Sequence, residues 1–212
     1  MPDHATAKRW SLNDLLTEPV EASLEAALAD LENKVAALEA QRDVLTDDMA
    51  TADFFELLHE YEAVADLMNR TGAYGELWFS EDTHNQAALN MRDRIRAALV
   101  NAGNRILFFS LWLKEMPDET AERLIAAGGE FRYFLETERK FKPHMLRESE
   151  EQNINLKDTN GIEAMMNLYE MITSRFTYTL EIDGETKTLT LDQMSSYFHH
   201  PSPAIRAATY QE

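Results

Sequence analysis

Six histidines are the first residues to weigh for chemistry: His4, His59, His84, His144, His199 and His200. A zinc-activated water needs two imidazoles on one helical face, as in His-Glu-x-x-His, with the Glu placed as base. The nearest match is His59-Glu60-Tyr61-Glu62-Ala63, where Ala63 stands in place of the second imidazole. One imidazole cannot hold a catalytic zinc, so His59 reads as a surface helix residue. His199 and His200 are adjacent and point to different sides of a helix, which makes a poor chelate. The ring of His144, next to Pro143, is expected to bond a backbone carbonyl at that break rather than a substrate. The chain has no Cys, which removes thiolate nucleophiles, thiolate metal sites and disulfides together. Its 7 Gly form no phosphate loop, and no Ser sits in Gly-x-Ser-x-Gly. Adjacent carboxylates such as Glu150-Glu151 are common in so acidic a chain and are no sign of acid–base work. The catalytic set and the metal set are therefore both empty here, and no substrate-binding residue can be assigned. What remains is a junction of Arg139, Pro143, His144 and Leu146, where one helix should stop and another begin.

Charge and length bound the rest. The chain has 212 residues, with 38 acidic against 20 basic side chains and a net charge of −18. Such a surface disfavours nucleic acid, because phosphate binding depends on Lys and Arg. A chain of this size buries about 70% of the surface its unfolded form exposes, so it can build a real core. The most apolar run, Ile106 to Leu113, is too short to cross a bilayer and reads as buried helix. Residues 1–10 have no apolar stretch of the secretory kind, and the missing Cys fits a reducing compartment. Together these point to a cytoplasmic protein with no membrane partner.

The elements that must position the junction follow from periodicity. Over 18–46, Leu24, Leu28, Leu31, Val35, Leu38 and Leu45 step by four and three, with Arg42 at the missing position. The partner helix, 53–69, carries Phe54, Leu57, Leu58, Tyr61, Val64, Ala65 and Met68 on one face. The two are expected to pack antiparallel within one chain rather than as a dimeric coiled coil. Gly72 is expected to end the second helix, and 73–79 to form an aromatic connector. A long helix over about 83–115, capped by Ser80 or Asp82, carries the stripe Ala88, Met91, Ile95, Leu99, Ala102, Ile106, Phe109 and Leu113. Its last turns are apolar on several sides, so Phe108, Phe109 and Trp112 read as core. Pro117-Asp118 opens the next helix and Gly128-Gly129 closes it. Asn160-Gly161-Ile162-Glu163 resembles a capping box for a helix to about Ser174, with Ile162, Met165, Met166, Tyr169 and Ile172 inward. The period then changes to two. Asp183-Gly184 predicts a type I′ turn pairing Ile182 with Glu185, Leu180 with Lys187 and Tyr178 with Leu189. Thr190-x-x-Gln193 is a second capping box, and Ser202-Pro203 starts the last helix. The fold class is mainly α: a multi-helix lobe with an N-terminal antiparallel helical hairpin and one β-hairpin at about 176–189.

The order of these elements resembles the amino-terminal region of the oligoendopeptidase F branch of the thimet-type zinc oligopeptidases. The residues that carry the resemblance are Trp10, Leu12, Asp14 and Leu15 at the start, then Arg139, His144 and Leu146. After them come Gly161, Ala164, Leu168 and Tyr169, followed by the Asp183-Gly184 hairpin. One departure is Arg147, which stands where the family usually has a Ser or Thr helix cap, leaving Ser149 as the candidate. With no internal repeat or low-complexity linker, residues 1–212 read as one helical body with a subdivision near 115–130; the resemblance implies that this body is an N-terminal helical lobe and that the catalytic zinc domain is absent from this chain. It further implies a complete enzyme that uses zinc to hydrolyse short peptides in a channel, this lobe forming one wall and restricting substrate size. The partners implied are short peptides and the chain's own C-terminal catalytic domain. No cofactor is expected in this chain, which should be inactive alone. The rival reading is a free-standing acidic helical interaction protein with no catalytic activity.

Overall fold

The computed structural model describes residues 11–18 and 20–212. Trp10 and His4 lie outside the described residues. The chain divides into two compact units, Met1–Thr159 and Asn160–Glu212.

The first unit is built on three long helices: α1 (Val20–Ala40), α2 (Thr51–Glu81) and α3 (Gln86–Glu115). Leu31, Val35 and Leu38 of α1 share a core with Phe54, Leu57, Leu58 and Val64 of α2, while Leu24 packs near Tyr74. The early part of α1 therefore meets the late part of α2, which makes the pair an antiparallel hairpin within one chain. Leu12, Leu15 and Leu16 pack on the Leu24–Tyr74 end. α3 runs parallel to α1, because its ion pairs follow the same order along both helices: Arg94 with Glu21 and Glu25, then Arg105 with Glu32 and Glu39. These pairs are largely solvated and each contributes little, but their order is consistent with a single register.

Two expectations at the α2–α3 corner are corrected. α2 does not stop at Gly72; it continues through Gly75 to Glu81, and the aromatic stretch 73–79 is helical. The glycines serve a close helix crossing instead. A Cβ at Gly75 would stand 3.2 Å from the Cα of Arg92 and from Ile95. Arg92 is fully buried there, its guanidinium 4.0 Å from the Phe79 ring centroid. The cap of α3 is Asn85, not Ser80 or Asp82: its side chain accepts from the N–H of Ala87 at 3.0 Å and of Ala88 at 3.1 Å.

Beyond α3 come α4 (Asp118–Ala127), α5 (Arg132–Lys140) and α6 (Glu148–Asn160). Pro117 precedes α4 and Gly128 follows it, as the punctuation predicts. Phe108, Phe109, Leu111 and Leu113 are all buried, so the end of α3 is enclosed on several sides. Met116, Ala121, Leu124 and Leu135 join the same core, and residues 115–130 lie inside the first unit.

The second unit contains α7 (Ile162–Thr173), β1 (Thr177–Ile182), β2 (Glu185–Thr190), α8 (Leu191–Ser195) and α9 (Pro203–Gln211). The two strands pair antiparallel with Ile182 opposite Glu185, Leu180 opposite Lys187 and Tyr178 opposite Leu189, the register read from the sequence. Asp183 (φ 54°) and Gly184 (φ 81°) both occupy the left-handed region that a type I′ turn demands. Leu180, Ile182, Met194 and Thr209 are buried, so the hairpin rests on the helices that follow it. Thr190 and Gln193 close the predicted capping box.

The start of α7 departs from expectation. Asn160 ends α6, and Gly161 precedes α7 without any side-chain cap, so no capping box forms. Nor do Ile162, Met165, Met166, Tyr169 and Ile172 point inward; each is 48–65% exposed. Their 3.6-residue spacing marks one helical face but does not provide something for that face to cover.

Candidate functional site

The junction at the end of α3 is the best-organised polar site of the first unit. A helix C-terminus leaves its last carbonyls without intrahelical donors. Arg139, from the last turn of α5, fills that gap: its Nη1 donates to the carbonyls of Lys114 at 2.5 Å and Met116 at 2.8 Å. Its Nη2 donates to the Asp118 carboxylate at the start of α4. Lys142 adds a bond to the same carboxylate at 3.1 Å. Lys142 and Arg139 together hold the Asp118 carboxyl below the usual carboxylate range. The cation thus also sits at the negative end of the α3 dipole, where it is most favourable. Arg139 is a clamp joining three helices, and its donors face protein carbonyls rather than a cleft.

The other junction residues play different parts. Pro143 lies in a short 3-10 turn, Lys142–His144, which separates α5 from α6. The expected bond from the His144 ring to a carbonyl is not formed; the ring is exposed, and only the backbone N–H bonds, to Phe141 at 2.9 Å. Leu146 is about half exposed. Ser149 is not the cap of α6. Carboxylates reach backward instead: Glu150 accepts from the N–H of Arg147 at 3.0 Å and Glu151 from that of Leu146 at 3.1 Å. α6 is then tied to the turn that follows α1, by Glu148 with Arg42 at 3.0 Å, and to α3, by Asn155 with Asn104 at 2.8 Å.

Beside the clamp lies a half-buried polar group that sequence reading missed. Lys114 and Glu138 pair at 3.2 Å, and Ser110 accepts from Lys114 at 2.7 Å. Burial, and secondarily the charge of Glu138, push the Tyr61 hydroxyl up. Tyr61 also lines a cleft of about 370 Å³ with Leu58, Ala65, Phe131 and Phe134, rimmed by Glu62 and Glu130. No local signal marks this group, because its members lie far apart in the chain and meet only when α2, α3 and α5 pack.

The described residues do not fit a zinc ion. His59 bonds Glu62 at 3.3 Å and packs on the Phe131 ring, with Ala63 one turn on. His84 pairs with Asp82, and His200 accepts from the N–H of Ser202. Among the described residues no three His, Asp or Glu side chains stand close enough to share a metal. None of their helices is long and apolar enough to cross a membrane.

Residues 112–178 match the family model described as Oligopeptidase F. The match covers about a third of the chain. The stretch begins at the end of α3, contains the Arg139 clamp and closes at the first strand. Solved structures extend the likeness to the fold. Oligoendopeptidase-F from Enterococcus faecium matches with a TM-score of 0.70 over 90% of this chain and 38% of its own, at 13% identity. A "putative peptidase" from Chlamydophila abortus matches with a TM-score of 0.53 over 95% of this chain and 34% of its own, at 16% identity. The chain thus spans little more than a third of either protein. No curated protein sequence matches it.

Proposed function

We propose that this chain is the N-terminal part of a zinc metallo-oligopeptidase that hydrolyses short peptides in the cytoplasm. It forms one wall of the substrate channel and excludes larger substrates by size. The observation that carries the reading is the oligopeptidase F match over 112–178, which includes the Arg139 clamp. The physical contribution of such a wall is shape. Helices α3, α4 and α5 share a close-packed core, and Arg139 locks their ends, so the surface they present resists deformation. A rigid wall rejects a folded protein because widening the passage would break that packing. This reading puts the zinc-bound water, its general base and the transition-state donors on polypeptide other than these 212 residues, which hold no His-Glu-x-x-His.

A second reading, a free-standing acidic helical interaction protein, is favoured by one observation: α7 exposes a continuous apolar face. The two readings separate in one experiment. The purified chain is dialysed, its metal content measured, and its action on a quenched fluorescent oligopeptide followed with and without a separately expressed C-terminal half. The expected result is no stoichiometric zinc and no cleavage alone, with chelator-sensitive cleavage on mixing. Turnover by the chain alone would overturn the reading of a missing catalytic half. No gain on mixing would favour the interaction protein.

A further inference from the structure

We infer that the apolar face of α7 is the docking surface for the polypeptide that carries the catalytic zinc site. The inference rests on the peptidase reading and assigns that protein a specific contact.

The geometry comes from helix spacing. At 3.6 residues per turn, Leu168, Ile172, Met165, Tyr169, Ile162 and Met166 fall within one arc of about 160°. Every one of them is exposed, between 48% and 65%. Asn167 lies opposite the arc, and Glu170 and Glu163 follow Met166 just beyond its edge. The arc carries no charge, in a chain with a net charge of −18. Covering it therefore buries no unpaired ion.

Area sets the kind of occupant. With Phe176, which is 50% exposed, these side chains present a patch. It measures roughly 800 Å², above the largest patch of an ordinary monomer and close to one partner's share of a standard interface. Width narrows the choice further. A symmetric helix pair covers only a narrow seam, whereas an arc this wide needs a groove walled by at least two helices. Two copies of so acidic a chain also repel each other. A membrane surface is disfavoured because the polar side bears Glu163 and Glu170 where interfacial helices carry Lys and Arg. What fits is a larger folded body with an apolar helical groove. The solved oligoendopeptidase-F chain, of which this fold accounts for 38%, is long enough to carry a larger body beside the fold.

The test uses the protein as its native cell makes it. A photo-crosslinking benzoylphenylalanine replaces Met166, on the arc, or Glu170, off it, and crosslinked peptides are sequenced by mass spectrometry. The expected result is a crosslink from position 166 to a polypeptide containing His-Glu-x-x-His, whether continuous with this chain or associated with it, at least tenfold stronger than from position 170. A crosslink to α7 of a second copy, to residues 11–159, or to nothing would overturn the inference. Failure of the peptidase reading looks different: no His-Glu-x-x-His polypeptide accompanies the chain at all. If one accompanies it but crosslinks elsewhere, the docking surface is wrong and the peptidase reading stands.

Discussion

Replacing Arg139 by Met tests whether the junction is held by a charged clamp. The substitution keeps the apolar stem and removes the guanidinium. The structure supplies the magnitude. Arg139 is only 13% exposed, and its Nη1 serves the carbonyls of Lys114 at 2.5 Å and Met116 at 2.8 Å. Hydrogen bonds from a charged donor contribute about 1.5–3 kcal/mol each, and a part-buried carbonyl left bare costs about 1–3 kcal/mol. Water can reach some of these groups, so the expected net loss is about 2–4 kcal/mol. The bond to Asp118 adds little, because that carboxylate is 79% exposed. Asp118→Asn is therefore the matched control, expected to lower the neutral-pH midpoint by a small but measurable amount. The assay is urea unfolding followed by circular dichroism, with thermal unfolding alongside. A loss of this size lowers Tm by roughly 5–15 °C in a chain of about 200 residues. If Arg139→Met costs no more than Asp118→Asn, the carbonyl bonds contribute nothing measurable and the clamp argument fails.

Three further outcomes are expected. Gly75→Ala should destabilise and Gly103→Ala stabilise, although both positions are mid-helix. Each gains about 1 kcal/mol of helix propensity, but a Cβ at Gly75 meets the Arg92 backbone at 3.2 Å while one at Gly103 finds only Met68 at 3.7 Å; equal signs in urea titrations would contradict the close crossing. Gly184→Ala should cost about 1–2 kcal/mol, since it puts a Cβ on a residue held at φ 81°, and loss of hairpin amide protection in hydrogen exchange would report it. In acid, the folded Asp118 carboxyl titrates below its unfolded value, so its contribution is complete above about pH 4 and fades as pH falls through the lower folded value. Comparing unfolding midpoints of the wild type and Asp118→Asn from pH 2 to 6 should show them converge at the acid end; parallel curves would mean that Asp118 does not contribute this way.

Local chemistry was legible in the sequence, and the reason is range. The type I′ turn at Asp183-Gly184 fixes the strand register because both residues must adopt positive φ. Thr190 and Gln193 cap a helix three residues apart, and Pro117 with Gly128 bounds another. The antiparallel pairing of α1 and α2 followed from complementary apolar faces joined by a short connection. The helix break of the junction was visible at Pro143, which cannot continue a helix. Its working parts were not, because the carbonyls Arg139 serves lie 23 and 25 residues earlier, and Glu148 meets Arg42 across 106 residues. Gly72 looks like a helix breaker in sequence and, with Gly75, turns out to be a crossing point, since only the approach of α3 gives a missing Cβ its purpose. Helical spacing placed Ile162, Met165, Met166, Tyr169 and Ile172 on one face of α7. Which way that face turns depends on what stands opposite it, and no periodicity in a single segment carries that information.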